Sequence, residues 1–121
     1  MARPSKSFND LPQNWQDWLR RVENADTKWR RREREREELL ARLERKNGVT
    51  GKTLRNLPEA KEAWQSVETA RIERAELLLA ATEDGVSTYR LAKHLGYPTQ
   101  HAVASAIQSL KGERVDYRKK D

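Results

Sequence analysis

Apolar positions recur with a seven-residue period along the first third of the chain. One row holds Trp15, Val22, Trp29, Arg36 and Leu43, and a second row holds Trp18, Ala25, Arg32 and Leu39. Two rows of this spacing predict one amphipathic helix over residues 11–46, about 50 Å long at 1.5 Å per residue. Each row is interrupted by an arginine, so the apolar stripe consists of two separate seams.

The segment between these seams, residues 30–38, has the sequence RRREREREE. Its charges are spaced to pair on a helix surface, at i, i+4 for Arg31–Glu35 and Arg34–Glu38 and at i, i+3 for Arg30–Glu33 and Arg32–Glu35. Each such pair stabilises a helix by roughly 0.2–0.5 kcal/mol. We therefore expect a solvated part of the same helix.

A second long helix is predicted over residues 58–84, with Asn56 as its N-cap and Pro58 in its first turn. Its broad apolar face consists of Ala60, Ala63, Trp64, Val67, Ala70, Leu77, Leu78 and Ala81. The linker 47–57 predicts an antiparallel pair of long helices, in which Leu39 and Leu43 meet the second helix near Trp64. Trp15, Trp18 and Val22 would then reach Leu78–Ala81. The alternative is a coiled coil between chains.

Residues 88–110, TYRLAKHLGYPTQHAVASAIQSL, predict two short helices joined by a tight turn. Ser87 or Thr88 can cap the first helix, and Gly96 can end it with a positive φ. We expect Thr99 to cap the second helix and Gly112 to end it. The buried positions expected on the two helices are Leu91, Ala92, Leu95, Val103, Ala106, Ile107 and Leu110.

This stretch resembles the helix-turn-helix DNA-binding superfamily of bacterial and phage regulators, over residues 88–110 only. The match is Leu91-Ala92-x-x-Leu95-Gly96, then a turn and an apolar helix. Val103 is seven residues after Gly96, whereas common members have six, so the turn Tyr97-Pro98-Thr99 is one residue longer. The resemblance implies that the second short helix lies in the major groove of DNA.

The expected fold class is all-α, with a long N-terminal helical hairpin or coiled coil followed by a C-terminal three-helix unit of the helix-turn-helix type. The end of the second long helix would be the first helix of that unit. The expected organisation is a flexible N-terminus (1–10), a charged amphipathic helix (11–46), a linker (47–57), a second long helix (58–84), a helix-turn-helix domain (71–112) and a basic tail (113–121).

The outward face of the second short helix supplies the side chains expected to contact bases: Gln100, His101, Ala104, Ser105 and Gln108. Gln can pair with adenine and His can donate to guanine, while a short Ala lets a helix approach the groove. The residues expected to contact phosphates flank this face or follow it: Thr88, Tyr89, Arg90, Lys93, Thr99, Lys111, Arg114, Arg118, Lys119 and Lys120. His94 is expected to be solvated or to face DNA.

Net charge is +6 over 121 residues, and 36% of the residues are charged. Residues 87–121 hold seven basic and three acidic side chains, which fits a polyanionic partner.

No cysteine is present, so a cysteine-ligated zinc site is excluded. No nucleophile motif appears either, and we expect no enzyme activity, cofactor or metal. No secretory or membrane-spanning segment is evident, so a cytoplasmic, nucleoid-associated protein is expected.

These observations predict a small DNA-binding protein, acting as a transcriptional regulator or an architectural factor on double-stranded DNA. Two alternatives remain open: a phage assembly or DNA-packaging oligomer of the small-terminase kind, and an adaptor whose helix-turn-helix binds protein. No small-molecule ligand is evident. A homodimer or a protein partner is expected through the N-terminal helices, at Trp15, Trp18, Val22, Trp29, Leu39 and Leu43.

Overall fold

The protein is all-helical over residues 8–119, the part of the chain that the computed structural model describes; side chains are described for residues 8–110. A single 3-10 turn, Phe8–Asp10, is followed by five α-helices. They are α1 (Gln13–Asn47), α2 (Gly51–Arg55), α3 (Pro58–Glu83), α4 (Thr88–Leu95) and α5 (His101–Lys119). Within this range there is no strand, and no helix is long and apolar enough to cross a membrane.

The predicted bounds of the long helices agree with α1 and α3 to within two residues, but the linker differs. It contains the short helix α2, and Asn56 is the C-cap of α2 with an αR conformation, so the prediction that Asn56 caps α3 is wrong. Leu54 of α2 is buried together with Leu43 and Ala60. A helical linker thus buries a leucine that an extended loop would leave in water.

The described chain divides into two compact units. Unit 1 takes the residues up to Asn24 and those from Ala75 onward, and unit 2 is Ala25–Arg74. Unit 1 has one apolar core to which all its elements contribute. Its buried members are Leu11, Leu19, Val22, Leu78, Ala81, Val86, Leu91, Ala92, Leu95, Val103 and Ile107. The predicted approach of Trp15, Trp18 and Val22 to Leu78–Ala81 is confirmed, since Val22, Leu78 and Ala81 are buried in this core and both tryptophans pack against it.

Two helices of unit 1 end in the same way. Gly85 after α3 has φ 100° and Gly96 after α4 has φ 75°, both in the left-handed region that glycine adopts without strain. The next residue returns its backbone N–H to a carbonyl five residues back, from Val86 to Ala81 at 3.0 Å and from Tyr97 to Ala92 at 2.9 Å. Val86 and Tyr97 also pack into the core. These C-caps fix where the chain leaves each helix.

Unit 2 combines a small apolar cluster with buried charged side chains. Its apolar cluster has three buried members, Leu43, Leu54 and Ala60. Asp26 is buried and lies 3.5 Å from Arg74 Nη1 and 2.9 Å from Arg30 Nε. The Arg74 guanidinium lies over the Trp29 ring, with its carbon 3.8 Å from the ring centre. A buried ion pair and a cation–π contact therefore lie beside Trp29, a residue of the heptad rows.

Two further predictions for the charged helices have mixed outcomes. Arg31 and Glu35 form the expected i, i+4 pair at 3.8 Å, whereas Arg30, expected to pair with Glu33, contacts Asp26.

Trp64 was expected on the apolar face of α3 but is 47% exposed, and the guanidinium carbon of Arg36 lies 4.4 Å from its ring centre. Trp64 sits at the edge of the α3 face, so it is covered by an arginine rather than by the core.

Candidate nucleic-acid interface

The candidate interface is the pair α4–α5 with the turn between them. Ser87 caps α4, because its Oγ accepts a hydrogen bond from the Arg90 N–H at 3.1 Å. Of the two predicted caps, Ser87 and Thr88, the structure therefore has Ser87. Leu91, Ala92 and Leu95 on α4 and Val103, Ile107 and Leu110 on α5 are buried as predicted, while Ala106 is partly buried and packs against the core. The apolar stripes hold the two helices against one core.

The turn is longer than the sequence predicts. Gly96 ends α4 as expected, but α5 begins at His101, so Thr99 lies two residues before the helix rather than capping it at Gln100. In the turn, Ala102 N–H bonds to the Thr99 carbonyl and Val103 N–H to the Gln100 carbonyl. Gln100 is therefore at the N-cap position of α5 and not on its first turn.

The five side chains expected to contact bases are all exposed: Gln100, His101, Ala104, Ser105 and Gln108. His101, Ala104, Ser105 and Gln108 follow i, i+3, i+4 and i+7, so they form one stripe along α5. Val103, Ile107 and Leu110 lie on the opposite side and are buried. The first two turns of α5 thus present a polar face backed by the core.

The residues expected to contact phosphates differ in how far their side chains are exposed to solvent. Tyr89, Lys93 and Thr99 are exposed, and Tyr89 is 58% exposed. Thr88 and Arg90 are partly buried. The Thr88 hydroxyl donates to Gln100 Oε1 at 3.4 Å, which places the N-terminus of α4 beside that of α5. The side chains of Lys111, Arg114, Arg118, Lys119 and Lys120 lie outside the described residues.

The prediction that α5 ends at Gly112 is wrong, because α5 continues to Lys119 and includes residues assigned to a basic tail. Glycine in a helix interior costs about 1 kcal/mol relative to alanine but does not terminate the helix by itself. The following residues, Glu113 to Lys119, contain no further glycine or proline. The helix therefore has no strong stop signal after Leu110.

His94 does not face solvent as expected. Its Nε2 lies 3.1 Å from Glu23 Oε2, and its ring stacks on Phe8 with the ring centres 5.7 Å apart. The guanidinium carbon of Arg20 lies 5.3 Å from the centre of the same Phe8 ring. This contact ties α4 to α1 within unit 1 and removes His94 from the polar face.

Asp84 also connects α1 to the end of α3, which the sequence pattern does not indicate. The Trp18 indole N–H donates to Asp84 Oδ2 at 2.7 Å, and Asn14 Nδ2 donates to the same oxygen at 3.2 Å. The hydrogen bond from Trp18, with that from Asn14 second, lowers the pKa of Asp84 below its ordinary value of 3.8. The carboxylate thus anchors the tryptophan over the core of unit 1.

The residues expected to bind a partner fall into both units. Val22 and Leu43 are buried within their own units, while Trp15, Trp18, Trp29 and Leu39 are partly buried. In the described part of the chain no group of three or more His, Asp or Glu side chains is arranged to hold a metal ion.

The sequence analysis does not anticipate the pairs that join distant parts of the chain, among them Glu23–His94, Asp26–Arg74 and Arg36–Trp64. The one available signal is Arg36, which interrupts an apolar row of α1. No protein-family model matches the chain, and comparison with curated proteins and with solved structures found no similar protein.

Proposed function

We propose that the protein binds double-stranded DNA through α4 and α5, used as a helix-turn-helix, and acts as a transcriptional regulator or a nucleoid-associated architectural factor. One observation carries this proposal: α5 begins with an exposed polar stripe, His101, Ala104, Ser105 and Gln108, whose opposite side is buried. A rigid helix with short and hydrogen-bonding side chains at its N-terminal end is suited to the major groove.

In this proposal each part of the interface has its own role. Gln108 and Gln100 are suited to adenine, His101 to guanine and Ser105 to several bases, while Ala104 lets α5 approach the groove floor. Tyr89, Lys93 and Thr99 contact phosphates and set the position of α5 without sensing sequence. The end of α3 serves as the first helix of a three-helix unit, since Leu78 and Ala81 share the core of α4 and α5.

The long helices α1 and α3 take the role of an arm, as a hairpin within the chain. One recognition helix covers few base pairs, so affinity and specificity rise when two copies bind two half-sites. The proposed partners are therefore DNA and a second copy of the chain.

A salt-dependent binding assay with duplex DNA tests this proposal. We expect the Gln100→Ala/His101→Ala/Ser105→Ala variant to lose at least tenfold in affinity for a selected sequence, since each base contact contributes about 1–3 kcal/mol of discrimination. Gln65→Ala/Thr69→Ala changes exposed polar residues of α3 in unit 2 and is the matched control, expected to bind like wild type.

The salt dependence and the sequence preference of DNA binding separate the regulator from the architectural factor. Lys93→Ala should weaken binding to all sequences equally and reduce the slope of log affinity against log salt by about 0.9. Wild-type binding without sequence preference, unchanged in the triple variant, would support the architectural role over the regulator. Absence of DNA binding at low salt would contradict both roles and favour the protein-binding adaptor or the assembly oligomer.

A further inference from the structure

Unit 2 carries an open groove of about 670 Å³. One wall is the second half of α1 and the other is the start of α3. The lining residues on α1 are Arg32, Glu35, Arg36, Glu38, Leu39, Arg42 and Arg45, and those on α3 are Glu59, Glu62, Ala63 and Ser66. The α1 wall runs from residue 32 to residue 45, about 20 Å of helix.

The two walls of the groove have opposite charge. Four arginines and two glutamates give the α1 wall an excess of two positive charges, and two glutamates give the α3 wall two negative charges. Across the groove these charges do not pair: within the described chain Arg42, Arg45, Glu59 and Glu62 make no ion pair within 4.0 Å.

Apolar surface accompanies these charges. Leu39 lines the groove and is only partly buried, although it packs against the small cluster of Leu43, Leu54 and Ala60. Trp64 follows the lining residue Ala63 in sequence and is 47% exposed, and the guanidinium of the lining residue Arg36 lies over its ring. An exposed tryptophan beside an arginine is the composition typical of an interface hot spot.

We propose that this groove is the site where a second copy of the chain docks, related to the first by a two-fold axis. In such an interface the basic α1 wall of each copy faces the acidic α3 wall of the other, so both sets of charges are matched at once. Trp64 and Leu39 then lie inside the contact and are removed from water.

The charge balance selects this occupant over others. A nucleic acid or another polyanion would meet Glu35, Glu38, Glu59 and Glu62 as well as the arginines, and an acidic peptide would meet the same four carboxylates. A second copy offers each wall its complement without any other component. This inference deepens the proposed function, which includes a second copy of the chain as a partner, by assigning that contact to unit 2; it does not depend on DNA binding by α4 and α5.

Charge reversal of each wall, alone and in combination, tests the inference. The basic-wall variant is Arg42→Glu/Arg45→Glu and the acidic-wall variant is Glu59→Arg/Glu62→Arg. Light scattering over a concentration series measures the dimer dissociation constant. We expect wild type to dimerise and each variant alone to raise the dissociation constant at least about 100-fold, since like charges then face each other.

The decisive sample is the equimolar mixture of the two variants. One variant has two acidic walls and the other has two basic walls, so the mixture should form a heterodimer that neither variant forms alone. Recovery in the mixture also shows that both variants are folded. The control is Lys52→Glu/Arg55→Glu, which makes the same change of net charge as the basic-wall variant at two exposed residues of α2 that do not line the groove. It should dimerise like wild type.

Three results would overturn the inference: a monomeric wild type across the concentration series, dimers that persist in both reversed variants, or no recovery in the mixture. Failure of the DNA proposal is a separate result. The Gln100→Ala/His101→Ala/Ser105→Ala variant should keep the wild-type dimer dissociation constant, whereas the wall variants should still bind DNA with the salt dependence expected of a single copy.

Discussion

Units 1 and 2 reach stable helical packing by different physical means. Unit 1 has a core cluster of eleven buried apolar residues, to which α1, α3, α4 and α5 contribute. Unit 2 has a cluster of three, with Ala25, Val67 and Ala70 buried outside it, and places a buried acid, Asp26, beside Arg74 over Trp29. Burial of apolar surface stabilises both units, and unit 2 adds a buried ion pair whose charges must stay matched.

Mutations in the core of unit 1 should therefore act through lost apolar contacts, whereas mutations at the ion pair of unit 2 should act through a charge left buried without its partner. A leucine removed from unit 1 leaves a cavity, whose cost depends on how far its neighbours relax. Removing one partner of a buried ion pair leaves the other charge desolvated, which is more damaging than losing the pair. The following predictions test this contrast in order of expected effect.

The largest effect is expected from Asp26→Ala, because it leaves the Arg74 guanidinium buried without its carboxylate. We expect the free energy of unfolding to fall by about 3–5 kcal/mol, measured by urea denaturation. Asp17→Ala is the matched control: its carboxylate is 59% exposed and 4.0 Å from Arg20, so a change of under about 1 kcal/mol is expected.

A double variant sharpens this prediction. Asp26→Leu/Arg74→Met removes both charges and keeps the volume, so it should recover most of the stability lost in Asp26→Ala. A double variant as unstable as the single one would show that the polar contacts of Asp26, including that to Arg30, stabilise unit 2 directly, and would contradict the explanation by a charge left buried without its partner.

A slightly smaller effect is expected in unit 1 from Leu78→Ala, since Leu78 is fully buried in the centre of the core. The free energy of unfolding should fall by about 2–5 kcal/mol through lost burial and cavity formation. Leu40→Ala in unit 2 is the control, because Leu40 is only partly buried. Equal losses in the two variants would mean that the apolar cluster of unit 2 contributes as much per residue as the core of unit 1.

The smallest effect is the pH dependence of unit 1 through Asp84. Its pKa is lowered in the folded state by the Trp18 indole and then by Asn14, so these hydrogen bonds stabilise the fold above the ordinary pKa of 3.8. That stability is lost as pH falls through the lowered pKa. Urea denaturation between about pH 5 and pH 2 should show a steeper loss for wild type than for Trp18→Phe. Parallel curves would contradict this role of the indole.

Much of unit 1 could be predicted from sequence because its signals are local. Ser87 lies three residues before the N–H it accepts, Gly96 needs only its own φ, and the α5 stripe repeats at helical spacing. The approach of Trp15 and Trp18 to Leu78–Ala81 follows from counting along two long helices joined by a short linker. Helix type and the buried positions therefore agree closely here, whereas the predicted start and end of α5 do not.

Interactions in unit 2, and some in unit 1, could not be predicted because their partners are far apart in sequence. Asp26 and Arg74 are separated by 48 positions, and nothing within either segment indicates the other. Arg30 has two acids within helical reach, Asp26 and Glu33, and it contacts Asp26 at 2.9 Å. The polar face of α5 was identified correctly as exposed, but whether it contacts bases depends on a partner, which a single chain does not reveal.

The placement of the four tryptophans has one more consequence. Trp15 and Trp18 belong to unit 1, and Trp29 and Trp64 belong to unit 2, so each unit holds two of the chain's intrinsic fluorophores. Tryptophan emission, excited selectively over tyrosine, comes only from unit 2 in a Trp15→Phe/Trp18→Phe variant and only from unit 1 in a Trp29→Phe/Trp64→Phe variant. Matching emission transitions in the two variants would establish a single cooperative melt, and displaced transitions would give each unit its own unfolding midpoint.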